Sequence, residues 1–225
     1  MPSVYNSSIP SNAKQRITQR YPSGKKRRAE FWLARKLVGA RCYFESGEPE
    51  LEYGLKDGKK HGVEYDWIDP GKLTSAEPFS NGLAHGVAKQ WDCDGRLLGS
   101  YTMRHGTGID LWRQRREDGS ICLSEVMYCK DGTFHGWQWW LDESQKSVFI
   151  ERHWQNGKLH GVEREWNEKE RLCRGYPKYF VAGVRVIKRQ YLKACSADPT
   201  LPPFNLKENN PARRFPAEIA KHMRG

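Results

Sequence analysis

The sequence predicts an all-β chain: tandem β-hairpin repeats forming one elongated, twisted antiparallel sheet, followed by an extended Pro-rich C-terminal tail. Three observations predict it. A six-residue motif, Asp/Asn-Gly-x-x-His-Gly, occurs four times. Apolar and polar residues alternate with period two behind the motif, as in Val63-Glu64-Tyr65-Asp66-Trp67, which is a strand pattern. The chain is also sparing in aliphatic residues yet carries nine Trp, ten Tyr and eight Phe among 225 residues, which suits a thin sheet held by large rings.

The elements follow in chain order. Residues 1–20 read as a polar, basic N-terminal arm. Residues 21–195 read as the repeat array, about seven hairpin units. A weak first copy begins at Gly39. The full motif then runs Asp57-Gly58-Lys59-Lys60-His61-Gly62, Asn81-Gly82-Leu83-Ala84-His85-Gly86, Asp131-Gly132-Thr133-Phe134-His135-Gly136 and Asn156-Gly157-Lys158-Leu159-His160-Gly161. Asn-Gly and Asp-Gly tolerate positive φ and mark tight hairpin turns. A degenerate copy centres on His105-Gly106-Thr107-Gly108, and a last weak copy starts at Gly183. Taking Gly39, Gly62, Gly86, Gly108, Gly136, Gly161 and Gly183 as anchors gives spacings of 23, 24, 22, 28, 25 and 22 residues, the period of a repeat array. The long spacing predicts an insertion near residues 113–119. Asp142-Glu143-Ser144-Gln145 and Glu168-Lys169-Glu170 stand where other units carry Asp-Gly, and predict longer polar turns. Residues 196–225 form the Pro-rich basic tail, with a short helix over residues 217–222.

These units of about 23 residues, with Tyr/Trp-bearing strands and Gly-marked turns, resemble MORN repeats (membrane occupation and recognition nexus). The Asp/Asn-Gly-x-x-His-Gly variant is similar to a bacterial MORN-like subgroup assigned as antitoxins of toxin–antitoxin pairs. The resemblance covers roughly residues 21–190. It implies a sheet of successive hairpins and a non-catalytic binding role, as an antitoxin, immunity-like protein or scaffold subunit.

The formal net charge is +11. Residues 1–36 hold nine Lys/Arg and one acid, net +8; residues 174–225 hold eleven and three, net +8; residues 37–173 hold eighteen and twenty-three, net −5. The array is therefore mildly acidic between two basic ends. Lys25, Lys26, Arg27 and Arg28, together with Arg113, Arg115 and Arg116 in the predicted longer loop, are the candidate polyanion contacts. Trp67, Trp91, Trp112, Trp139, Trp140 and Trp166 are the candidate partner-binding aromatic face. His61, His85, His135 and His160, each preceding one of Gly62, Gly86, Gly136 and Gly161, are read as structural turn residues: equivalent positions two strands apart are about 9–10 Å from each other, too far to share one metal ion.

No catalytic set, metal site or cofactor motif is found in the sequence, and the six Cys show no metal-ligand spacing. No apolar run reaches membrane-spanning length, and with no secretion signal the expected location is cytoplasmic. Two functions stay open. One is a non-catalytic protein-binding module for a toxin or complex subunit. The other is binding to nucleic acid or an anionic membrane surface through the basic ends.

Overall fold

The computed structural model describes residues 5–223. The first four residues of the N-terminal arm and the last two of the tail lie outside the described residues. The chain divides into two compact units, Met1–Gly106 and Thr107–Gly225. The fold is all-β, an open antiparallel sheet of successive hairpins.

The first unit carries β1 (Lys14–Arg20), β2 (Lys26–Leu33), β3 (Lys36–Tyr43), β4 (Pro49–Lys56), the two-residue β5 (Lys59–Lys60), β6 (Gly62–Asp69), β7 (Lys72–Ser80), the two-residue β8 (Leu83–Ala84), β9 (Gly86–Trp91) and β10 (Leu97–Arg104). The second carries β11 (Thr107–Arg115), β12 (Ile121–Lys130), β13 (Thr133–Leu141), β14 (Val148–Gln155), β15 (Lys158–Leu159), β16 (Gly161–Glu165), β17 (Lys178–Val181) and β18 (Val184–Val186). It closes with α1 (Lys188–Ala197), a 3-10 turn at Leu206–Asn209 and α2 (Ala217–Ala220).

The true period is set by the hairpin tips. Seven pairs of consecutive left-handed residues mark them: Ala34/Arg35, Asp57/Gly58, Asn81/Gly82, His105/Gly106, Asp131/Gly132, Asn156/Gly157 and Ala182/Gly183. Their first members are 23, 24, 24, 26, 25 and 26 residues apart. Two left-handed residues in succession twist the chain to match the strands they join. His105-Gly106 therefore occupies the Asp-Gly position, not the His-Gly position that the sequence pattern suggests, and Ala182-Gly183 does the same. With that register the 28-residue gap disappears. No loop is inserted over residues 113–119: Arg113 and Arg115 lie within β11, and the extra length is taken up by the longer β11 and β12, with a bulge between Trp112 and Arg113. At the opposite turns Gln145 (φ 60) and Glu170 (φ 55) take the left-handed position that Gly95 and Gly119 hold elsewhere. The turn at Asn167 closes on Arg171 and is no longer than those at Asp92 and Arg116, whereas the turn at Asp142 closes on Ser147 and is one residue longer, as its sequence predicts.

The tips also join neighbouring units. The N–H of four tip glycines donates to a carbonyl of the preceding unit: Gly82 to Lys60, Gly106 to Ala84, Gly157 to Phe134 and Gly183 to Leu159, all at 2.7–2.9 Å. The N–H of the preceding tip residue donates to a side chain of that same neighbour. His105 N–H donates to His85 Nδ1 (3.2 Å), Ala182 N–H to His160 Nδ1 (3.0 Å), and Asp131 N–H to Thr107 Oγ1 (3.1 Å) where the motif lacks its histidine. His85 and His160 are thus acceptors placed after the turn, whereas Nδ1 of His61 and of His135 is buried without a hydrogen-bond partner. At His61, His85 and His160 the two-residue strand breaks, the histidine N–H donates back across the ladder, and the strand resumes at the following glycine. Gly161 shows why no side chain fits there: a Cβ would lie 2.7 Å from His153 Cβ and 3.1 Å from Pro202 Cγ.

The ends depart from the sequence-based boundaries. β1 falls within the expected arm, and all seven of its residues are exposed. Residues 5–9 run across one face of the first unit. Tyr5 OH donates to Glu52 (2.7 Å), Ser8 Oγ exchanges hydrogen bonds with Val63, and Ile9 is buried with Ala29, Phe31 and Tyr43. Backbone contact this close needs glycine at Gly39, Gly54 and Gly62, where a Cβ would fall within 3 Å of Ile9 or Ser8. In the second unit α1 replaces the last part of the expected array, and the tail returns over the sheet. Leu201 joins Val162, Tyr179 and Tyr191 in one cluster. Phe215 packs edge-on against Trp139 (5.6 Å), and Arg213 makes a two-pronged contact with Glu151 (2.7 and 3.0 Å). Arg164, fully buried, donates to the same Glu151 carboxylate at 2.7 Å.

Two expectations follow. His160→Ala leaves the Ala182 N–H without its acceptor and lowers unfolding free energy by about 1–3 kcal/mol, measured by denaturant titration; at the exposed His85 the same change costs less. Glu151→Ala removes the buried partner of Arg164 and leaves it only the partly exposed Glu208 (3.1 Å), a loss of up to about 3–5 kcal/mol in the same measurement.

Candidate functional site

Trp139 and Trp140 are consecutive, so a strand must send them to opposite faces. The six tryptophans accordingly do not form one partner-binding face. Trp139 and Trp166 lie under the tail: Trp166 Nε1–H donates to the Asn209 carbonyl (2.8 Å), and Arg213 stands over its ring (5.1 Å). Trp91 is buried with Tyr65 and Ala76, and Trp67 packs against Tyr5 (5.3 Å) beneath the N-terminal segment. These four rings are structural. Trp112 and Trp140 lie on the other face, flanking Glu125 across β11–β12–β13. Trp112 is 37 % exposed, and Trp140 carries the Arg152 guanidinium at 5.0 Å.

The candidate basic residues are mostly engaged within the fold. Lys26 Nζ sits 4.0 Å over Tyr43, Arg27 stands over Tyr21, and Arg28 donates to Tyr53 OH (3.3 Å); Lys25 is exposed in the turn before β2. Arg113 donates to the Leu111 carbonyl and is half-buried, which lowers its pKa. Arg115 is half-buried in the same strand. Arg116 bonds Ser120 and the Glu143 carbonyl, closing a turn. They are strand and turn residues rather than a loop patch.

The face of the first unit opposite the N-terminal segment holds a feature that charge counting missed. Glu64 on β6 stands directly across from Glu77 on β7, and Asp66 is two residues along on the same face. Like charges in direct cross-strand register are unfavourable. Lys60 is the nearby cation: it pairs with Glu64 while lying over the Tyr53 and Phe79 rings. Glu77 accepts from Tyr101 OH (3.0 Å), and Asp66 accepts from Ser75 Oγ (3.1 Å). All three carboxyls are half-buried. Burial above all raises their pKa, their mutual charge adds to the rise for Glu64 and Glu77, and hydrogen bonds and Lys60 offset it in part.

The next position in the Asp66–Ser75 row is Gln90, paired with Ser75 across β7–β9. Gln90 is 2 % exposed, and both its amide nitrogen and amide oxygen lack a hydrogen-bond partner. An unsatisfied buried amide is unusual enough to require a reason. The corresponding ladder of the second unit shows what neutralisation looks like. There Gln138 bonds Glu125 (2.8 Å), Arg152 bonds Glu163 (2.7 Å) and Lys178 approaches Glu163 (3.5 Å), so acid and base alternate.

Among the described residues no group of three His, Cys, Asp or Glu side chains is placed to hold a metal. A cleft of about 770 Å³ in the second unit is lined by Phe149, Glu165, Trp166, Glu168, Lys169 and Cys173. No helix among the described residues is long and apolar enough to cross a membrane. In comparisons with known proteins, no family model matches the chain, and no curated protein matches it.

Because the folded pKa of Glu77 lies above its unfolded value, its carboxylate opposes folding at neutral pH, and that penalty disappears as pH falls through the folded pKa. Glu77→Gln is therefore expected to raise stability at pH 7 by a few tenths to about 1 kcal/mol, the scale of a cross-strand pair. The gain over the wild-type protein should shrink toward pH 4.5. Thermal melts of both proteins across that range check it; a loss of stability at pH 7 would contradict it.

Proposed function

We propose that the chain is a non-catalytic protein-binding module of the MORN-like kind its sequence resembles, and that it receives a basic partner on the Glu64–Asp66–Glu77 face of its first unit. The observation that carries this reading is the pair of facing carboxylates, Glu64 and Glu77, beside the unsatisfied Gln90. A fold optimised only for stability would neutralise that ladder, as the second unit does. Retained local destabilisation is a common mark of a binding site. A guanidinium or ammonium group from a partner supplies the missing charge. Charge of this kind raises association rate and selects partners.

The aromatic content supports the same division of labour. Trp67, Trp91, Trp139 and Trp166 are used by the protein to hold its own terminal segments. The partner surface of the first unit is therefore assigned to its opposite face. An antitoxin or immunity-like role fits, with a cytoplasmic basic toxin as the partner. All six cysteines are free thiols, which suits that compartment.

The triple variant Glu64→Gln/Asp66→Asn/Glu77→Gln tests the reading. Expressed with the product of the adjoining gene, the native chain should co-purify with it and relieve its toxicity. The triple variant should bind at least tenfold more weakly by calorimetry while melting no lower than the native protein. Equal affinity in the variant, or a harmless neighbour that does not bind, would refute the acidic-face antitoxin reading.

A further inference from the structure

The first unit has a second, oppositely charged site, built from residues that the proposed acidic face does not use. β1 lies at the start of the sheet and pairs with β2 so that Lys14 faces Trp32 and Arg16 faces Glu30. Lys14 and Arg16 therefore project from the same side of an extended strand, about 6.6–6.8 Å apart along it. Arg35, in the left-handed tip between β2 and β3, joins them. Together with Gln15 and Trp32 these three cations line a concavity of about 410 Å³.

None of the three is neutralised. Among the described residues the side chains of Lys14, Arg16 and Arg35 form no ion pair or hydrogen bond, and all three are exposed. The acid opposite Arg16, Glu30, instead accepts from the Trp32 indole N–H (3.3 Å). That bond fixes the ring on the wall of the concavity. Gln15 is held by its own bond to Tyr43 OH (2.5 Å). The result is a half-buried, oriented indole among free positive charges.

We infer that this concavity binds single-stranded nucleic acid, with a nucleobase stacked on Trp32 and the flanking phosphates on Lys14, Arg16 and Arg35. An aromatic platform beside a cationic track is the arrangement that single-strand binding uses: the ring takes any base by its π-face, and the cations follow the backbone. A peptide partner would have no use for three free cations around one ring unless it were strongly acidic. A bilayer of anionic lipid would need charge alone and would gain nothing from a held indole. A paired duplex hides its bases and cannot stack on it.

The test uses the full chain and fluorescein-labelled 12-mers of oligothymidylate and oligouridylate, followed by anisotropy at 50 and 200 mM salt. Binding is expected with both or either strand. Its affinity should fall about 20-fold between the two salt concentrations if about three phosphates are contacted. Arg16→Glu/Arg35→Glu changes only exposed side chains and should keep the melting temperature, weaken binding at least tenfold and flatten the salt dependence. Trp32→Phe, which keeps a smaller ring, should bind better than Trp32→Ala, and both should bind less well than the native protein. No binding at 50 mM salt overturns the inference. So does binding that the double charge variant leaves unchanged, or binding indifferent to Trp32. Vesicles of anionic phospholipid serve as the competing probe: if they bind in a Trp32-independent way and displace the oligonucleotide fully, the surface is a general polyanion patch and the inference fails. The triple acidic-face variant should leave oligonucleotide binding intact, so this result and the partner-binding result stand or fall separately.

Discussion

The donation of tip N–H groups to the neighbouring unit is the constraint from which most of the structure follows. A two-residue left-handed tip leaves its own N–H groups pointing away from the hairpin it closes. In a lone hairpin water would take them. Here a carbonyl takes one, and an imidazole or hydroxyl takes the other. That requirement explains the motif where it is fully used: Asp/Asn-Gly makes the tip, two residues pair briefly, and His85 or His160 offers Nδ1 to the next tip. The glycine after it lets the strand resume against a crowded neighbour. The tip of each such hairpin is thus completed by the hairpin before it, which is why stability in such arrays is a nearest-neighbour property.

The two units solve the same problem of a sheet face in the same way. Each has a buried carboxylate meeting an arginine beneath a terminal segment. In the first, Glu52 meets Arg41 with Tyr5 above; in the second, Glu151 meets Arg164 with Arg213 above. A buried ion pair adds little net stability but is costly to break, so it selects the segment that completes it. Where the units differ is the opposite face. The second alternates acid and base, and the first leaves carboxylates facing one another. The difference in charge order, not in fold, is what sets the first unit apart and carries the proposal that it is the binding element.

The repeat architecture was legible because glycine and alternation report backbone geometry directly. Register was less so. His105-Gly106 looks like the end of the motif by residue type, yet the tip spacing of 24 from Asn81 and 26 to Asp131 places it at the start. Histidine is uncommon with positive φ, and propensity misled where periodicity would have decided. The faces of the tryptophans could have been read from the adjacency of Trp139 and Trp140. The covering segments could not: residues 5–9 offer two apolar side chains, and Arg213 lies 62 residues from Glu151. Long-range pairing of this kind leaves no local pattern. The acidic ladder was hidden for a similar reason, since Glu64 and Glu77 become neighbours only once the β6–β7 register is known.

The strap of residues 5–9 has a consequence for how such a protein changes over generations. Its contacts run from Gly39 to Gly62, a span matched to β3, β4 and β6 and to glycines placed where the strap crosses. Duplicating a hairpin is the simplest route by which a repeat protein lengthens, and each tip would accept a new neighbour readily. A hairpin inserted beneath the strap, however, would shift every crossing point and present side chains where glycine is required. Growth by duplication is therefore restricted to hairpins that neither this strap nor the returning tail of the second unit crosses, so the parts of the array under those segments have a fixed length.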